Sequence, residues 1–144
     1  MHATKYSTHI LIPMVADLFH YGHVAFLQKV REDNPDGVIC IGLIPCSIVE
    51  TYKRKPIMNF DERKKALESC KYVDSILELN QLELTEHFLL KNNIDLVIHA
   101  HNTDEHEKYS FFWKNIPYKF IRYDYTKGIS TTDVIERVIS YHHS

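Results

Sequence analysis

The run Val38-Ile39-Cys40-Ile41-Gly42-Leu43-Ile44 is apolar at every position and rich in β-branched side chains. A half-exposed strand would alternate with polar residues. An unbroken run of this length predicts a strand buried on both faces, as in a parallel sheet. Residues 9–14, 72–79, 95–99 and 118–122 predict four further strands. Residues 21–33, 61–70, 85–91 and 131–141 predict helices, the first ended by Asn34-Pro35-Asp36-Gly37, the second opened by acid as the helix dipole prefers. Residues 46–51 and 111–113 read as helical turns, 52–56 as a basic loop broken by Pro56, and 101–108 as a polar loop. Strands alternating with helices give an α/β fold: a parallel five-stranded sheet with helices on both faces and right-handed crossovers. In such sheets ligands bind at the carboxyl ends of the strands, so His20, His99 and Tyr125, each following an expected strand, can share one crevice.

Length and charge narrow the function. The 144 residues fit one domain, 1–144, with residues 1–7 polar and loose, and the net charge of −2 argues against a broad nucleic-acid surface. No apolar run spans a bilayer and no signal peptide opens the chain, so no membrane attachment is expected. Cys40, Cys46 and Cys70 are odd in number and irregularly spaced; they read as free thiols in a reducing, cytoplasmic setting.

Two stretches carry chemistry. The first, Asp17-Leu18-Phe19-His20-Tyr21-Gly22-His23, ends a strand and opens a helix. Free backbone N–H groups and the dipole at such a helix start favour an anion, Gly22 lets a phosphate approach the backbone, and two imidazoles can donate to oxygens that gain charge in a transition state. Ten His in the chain make a chance pairing plausible, with a simple helix cap or a zinc ligand as the plainer readings. The second stretch, Tyr125-Thr126-Lys127-Gly128-Ile129-Ser130-Thr131-Thr132-Asp133, opens the last helix. An N-cap accounts for one hydroxyl there; Lys-Gly followed by three hydroxyls suits a second phosphate cradle.

Together these stretches make the chain resemble the cytidylyltransferases of the His-x-Gly-His nucleotidyltransferase superfamily, in the branch that handles phosphonates or phosphocholine-like compounds. The resemblance rests on Asp17, His20, Gly22, His23, Lys53, Glu62-Arg63, Lys71-Tyr72-Val73-Asp74, His99, Thr126 and Gly128 to Thr132, in order over nearly the whole chain. It implies a Rossmann-like fold and transfer of CMP from CTP to a small phosphate- or phosphonate-bearing alcohol or amine, with release of pyrophosphate. It implies catalytic roles for His20, His23 and Lys53, and nucleotide contacts from Asp17, Gly22, His99, Thr126, Lys127, Gly128, Ile129, Ser130 and Thr131. Acceptor contacts are expected from Lys53, Arg63, His101, Asn102 and Trp113. Magnesium would arrive with CTP, with no dedicated protein metal site, and residues 71–74 would form a homodimer contact.

The sequence also departs from the family. Met14-Val15-Ala16 replaces a usual Gly-x-Phe, Tyr125 a late Arg, and His99-Ala100-His101-Asn102 a frequent His-Gly-Asp-Asp. Lys127 or Arg122 would have to supply the missing cation. Asp17 is expected to orient a histidine or magnesium, or to cap the following helix. The aromatic stripe Tyr109, Phe111, Phe112 and Trp113 reads as a wall for a quaternary ammonium or, equally, as core. Glycerol-3-phosphate or ethanolamine phosphate are alternative acceptors. A silent nucleotide sensor, and a metal module built on the His-rich loop 99–106, are alternatives of other classes.

Overall fold

The computed structural model describes residues 7–143, so most of the loose segment expected at 1–7 lies outside the described residues. The elements are β1 (His9–Met14), α1 (Tyr21–Asp33), β2 (Val38–Leu43), α2 (Cys46–Val49), α3 (Phe60–Glu68), β3 (Ser75–Glu78), α4 (Glu86–Lys91), β4 (Leu96–Ala100), β5 (Phe120–Tyr123) and α5 (Thr131–His143), with three short 3-10 turns between β4 and β5. The strands form one sheet in the order β3-β2-β1-β4-β5, and every pairing is parallel.

The sheet is buried on both faces because its apolar residues alternate between two cores. Ile10, Ile12, Ile39 and Ile41 point to one side, where Phe26, Leu27 and Val30 of α1 and Leu67 of α3 cover them. Leu11 and Val97 point to the other, under Val49 of α2, Leu89 of α4 and the turn residues Tyr109, Phe112 and Ile116. The unbroken apolar run of β2 thus serves two cores at once. Chain order reverses beside β1, whose neighbours are β2 and β4. The loops leaving β1 and β4 diverge there and open a crevice.

The third strand is shorter than the sequence suggests. Residues 71–74 form a turn, and Asp74 starts the pairing with its side chain: Oδ2 accepts from Ile39 N–H at 2.8 Å and from Arg31 at 2.7 Å. The second long helix starts one residue early, because Asn59 and Glu62 form a reciprocal cap around Phe60. The three cysteines are unbridged and half-buried. Among the described residues no helix is long and apolar enough to cross a membrane.

Candidate active site

Both imidazoles of the early motif are built into the first turn of α1. His20 is the N-cap residue, and its Nδ1 accepts from Gly22 N–H at 3.0 Å. His23 Nδ1 accepts in turn from His20 N–H at 3.1 Å. A backbone N–H can only donate, so both Nδ1 atoms are bare and both neutral rings carry their proton on Nε2. The cap reading and the phosphate-donor reading therefore describe one arrangement: capping on the Nδ1 side creates a fixed donor on the Nε2 side. His20 Nε2–H donates to Thr131 Oγ1 at 3.3 Å, while the Thr131 hydroxyl donates to the Asp17 carbonyl at 3.1 Å. The His23 ring stacks on Phe19 at 5.4 Å and tilts against His20 at 4.1 Å. Burial lowers the pKa of His20. Burial, the repulsion it would meet from a protonated His20, and the Lys53 ammonium take His23 down to about 3. Both rings stay neutral, as the caps require.

Gly22 has a task that its sequence context does not announce. A Cβ there would lie 2.7 Å from His20 Cε1 and 3.1 Å from Ile129 Cγ2. What approaches the bare backbone is the capping imidazole and the late loop. Thr126 Oγ1 ties that loop down by donating to the Gly22 carbonyl at 3.1 Å. Gly128, at φ +89, turns the chain where a side chain would be strained. Ser130 Oγ accepts from Asp133 N–H at 3.1 Å, so its hydroxyl oxygen caps α5. The N-termini of α1 and α5 thus open onto one cavity of about 1060 Å³ at the carboxyl ends of β1 and β4.

Asp17, His20, Gly22, His23, Lys53, His99, Asn102 and residues 126–131 line this cavity; Arg63, His101 and Trp113 do not. Arg63 is fully buried. Its guanidinium donates to the Val15 and Ile44 carbonyls, each at 2.8 Å, and to the Met58 carbonyl at 3.1 Å. The expected substrate contact is therefore replaced by a clamp holding the loops after β1 and β2 together. A buried guanidinium needs acceptors, and loop carbonyls supply them. His101 is also fully buried, between His99 and His106. Trp113 stacks on His106 with centroids 4.3 Å apart and donates to the His106 carbonyl at 2.9 Å, so it is no wall for a ligand. Asp17 lines the cavity, yet its carboxylate accepts from Ile57 N–H at 2.8 Å and Met58 N–H at 2.9 Å. It anchors the loop before α3 rather than capping α1.

Lys53 reaches the cavity from the loop after α2. Its ammonium lies 5.9 Å from the Tyr52 ring centroid and 5.5 Å from that of Tyr109. The side chain is surface-accessible through the cavity mouth, yet the walls strip much of its hydration. Desolvation, with the Lys108 charge, lowers it to about 8 against the opposing pull of Glu105. Tyr109 forms part of the second core, and its buried hydroxyl meets no partner of hydrogen-bond geometry, although the Tyr125 hydroxyl faces it. Arg122 is drawn away by Asp124 and the His101 carbonyl, which leaves Lys127 as the late loop's cation.

Sequence reasoning missed Arg54 and Lys108 in the lining. Arg54 crosses to Thr132 Oγ1 at 3.1 Å, a contact between residues 78 apart that no local spacing announces. Among the described residues no group of three or more His, Cys, Asp or Glu is arranged to hold a metal ion. In the His-rich loop both nitrogens of His101 and the Nδ1 of His99 and of His106 are taken up by one another instead.

The sequence pattern of the family described as cytidylyltransferase-like matches residues 15–137. Choline-phosphate cytidylyltransferase 2 of Arabidopsis thaliana is 32% identical over 130 residues, 87% of this chain and 42% of that protein. Ethanolamine-phosphate cytidylyltransferase of Dictyostelium discoideum is 31% identical over 127 residues, 85% of this chain and 34% of that protein. The chain therefore spans less than half the length of these relatives. A lipopolysaccharide core biosynthesis protein from Thermoplasma volcanium GSS1 shares the fold, with a TM-score of 0.62 at 16% identity over 85% of this chain and 98% of that one.

Proposed function

Because the chain belongs to the cytidylyltransferase-like family, we propose that it transfers CMP from CTP to a phosphate or phosphonate oxygen of a small acceptor. An acceptor oxygen attacks the α-phosphorus in line, the new O–P bond forms, the bond to the β-phosphate oxygen breaks, and pyrophosphate leaves. An ionised phosphate or phosphonate is already a nucleophile, so no general base is required and positioning with charge stabilisation carries the rate.

The observation that carries this reading is the pair of Nε2–H donors fixed by the His20–His23 cap between two helix N-termini. These donors would hold α- and β-phosphate oxygens as the five-coordinate centre develops, with His20 exchanging its Thr131 hydroxyl for a phosphate oxygen while the caps hold both rings in place. Lys53, protonated at neutral pH, would hold the anionic acceptor and offset repulsion between the two substrates. Lys127 and the start of α5 would meet the triphosphate. Magnesium enters as part of the CTP substrate, bound through phosphate oxygens. The Tyr125 hydroxyl, facing the buried one of Tyr109, would offer a hydrogen bond to a polar acceptor head group. A homodimer through residues 71–74 belongs to the same proposal, and light scattering would test it.

The deciding experiment is pyrophosphate release with magnesium, crossing CTP and ATP against phosphocholine, phosphoethanolamine, glycerol 3-phosphate, 2-aminoethylphosphonate and 2-hydroxyethylphosphonate. Release with CTP and one acceptor, lost in His20→Ala and Lys53→Ala, is the expected outcome. CTP binding without release for every acceptor would overturn the transferase reading and favour a silent nucleotide sensor.

A further inference from the structure

The end of β4 and the loop after it hold a second histidine cluster. His99 Nδ1 lies 2.9 Å from His101 Nδ1, and His101 Nε2 lies 2.7 Å from His106 Nδ1. The three rings form one continuous hydrogen-bonded line. It starts at the cavity wall, where His99 stands, passes through the fully buried His101, and ends at the half-buried His106 against Trp113. His99 has given Nδ1 to this line, so Nε2 is the nitrogen left for the cavity.

A neutral imidazole has one donor and one acceptor nitrogen. His99 and His101 are neutral: burial lowers both, with His101 and Lys53 facing His99, and with His106 and Arg122 facing His101. Only two arrangements of the line are then self-consistent. In one, His106 Nδ1–H donates to His101 Nε2, His101 Nδ1–H donates to His99 Nδ1, and His99 presents Nε2–H to the cavity. In the other, every bond is reversed and His99 presents a bare Nε2. No backbone group chooses between them at either Nδ1 of the His99–His101 pair. The ends must choose.

We propose that His101 and His106 are positioning residues that set the hydrogen-bond polarity of His99, so that His99 offers Nε2–H to the phosphoryl oxygens of the acceptor beside Lys53. The cavity end favours this direction, because the oxygens of a fully ionised phosphate or phosphonate accept and do not donate. The choice of occupant rests on the transferase reading; the relay itself does not. By reciprocity, whatever fixes the donor at His106 strengthens anion binding some three rings away, and a bound anion fixes His106 as donor.

The test uses two isosteric substitutions at the half-buried end, which leave the core histidines in place. A glutamine at His106→Gln can donate or accept and permits the native polarity. A carboxylate at His106→Glu only accepts, so it forces His101 Nε2–H and reverses the line. Long-range nitrogen–proton correlation spectra of ¹⁵N-histidine-labelled full-length protein, with inorganic phosphate present, read which nitrogen of each ring is protonated. Wild type and His106→Gln are expected to show protonated Nε2 and bare Nδ1 at His99; His106→Glu is expected to show the opposite. With the acceptor that supports pyrophosphate release, KM should rise about tenfold in His106→Glu, with kcat less affected, since one charge-assisted hydrogen bond is lost. A bare Nε2 at His99 in the wild type, or a His99 tautomer indifferent to His106→Glu, overturns the proposal. If no acceptor turns over, the spectra still decide the relay, and only the transferase reading fails.

Discussion

The two histidine clusters use the same side chain under opposite constraints. At the start of α1, each Nδ1 faces a backbone N–H, which can only donate, so the tautomer is fixed within one helical turn. In the loop after β4, ring nitrogens face ring nitrogens, and each bond can run either way. A backbone partner makes an imidazole a permanent donor. An imidazole partner makes it a conditional one, set by whatever lies at the ends of the line. The first arrangement suits groups that must be ready before substrate arrives, and the second suits a contact coupled to its surroundings.

The comparison breaks most visibly at the fixed cluster. His20→Asn keeps a good N-cap side chain but removes the Nε2–H donor. Its turnover should fall about 10²–10³-fold while its unfolding free energy changes little, and His23→Ala should lose a similar factor. Loss of stability without loss of rate in His20→Asn would make these histidines caps and nothing more. Gly22→Ala drives a methyl to 2.7 Å from the His20 ring. It should cost about 1–3 kcal/mol in urea unfolding and move the fixed donor off its line, so rate falls with stability.

Acid sharpens the contrast next. His23 is lowered to about 3 and His101 to about 4 in the folded protein, against an ordinary value of 6.5. The unfolded chain therefore binds more protons below about pH 6.5, and stability falls as pH drops from there toward about 4. Each such ring contributes a slope of roughly 1.4 kcal/mol per pH unit, and His23→Ala should remove one ring's share from the profile. A profile flat between pH 6.5 and 4 would mean that neither cluster is held neutral. The smallest effect belongs to the adjustable end: His106→Gln, at a half-buried site, should shift unfolding by no more than about 0.5 kcal/mol. At high pH, Lys53 loses its proton through about 8, so acceptor KM should climb above that value.

Much of the architecture was legible from residue pattern. The uninterrupted run of β2 called for burial on both faces, and it lies under two cores. The third strand is shorter than its pattern suggests because Tyr72 and Val73 resemble strand residues. They pack against the first core from a turn, and the pairing begins where the Asp74 carboxylate takes Ile39 N–H. Arg63 shows the limit for the site. An arginine on a helix reads the same whether its guanidinium meets a ligand or three loop carbonyls, because the carbonyls come from residues 5, 19 and 48 positions away.

The sequence by itself determined the parallel α/β order of elements, the two phosphate-suited helix starts, and the local cap of His20 on Gly22 and His23, because each of these depends on residues within a few positions of one another. Tertiary structure decided the rest. It joined α1 and α5 across one cavity through Thr126 and Thr131, and brought Arg54 to Thr132. It also withdrew Arg63, His101 and Trp113 from the site. The physical reason is that a buried polar group must find partners wherever the folded chain supplies them, and for these residues the partners are distant in sequence or belong to loops whose course no local pattern encodes.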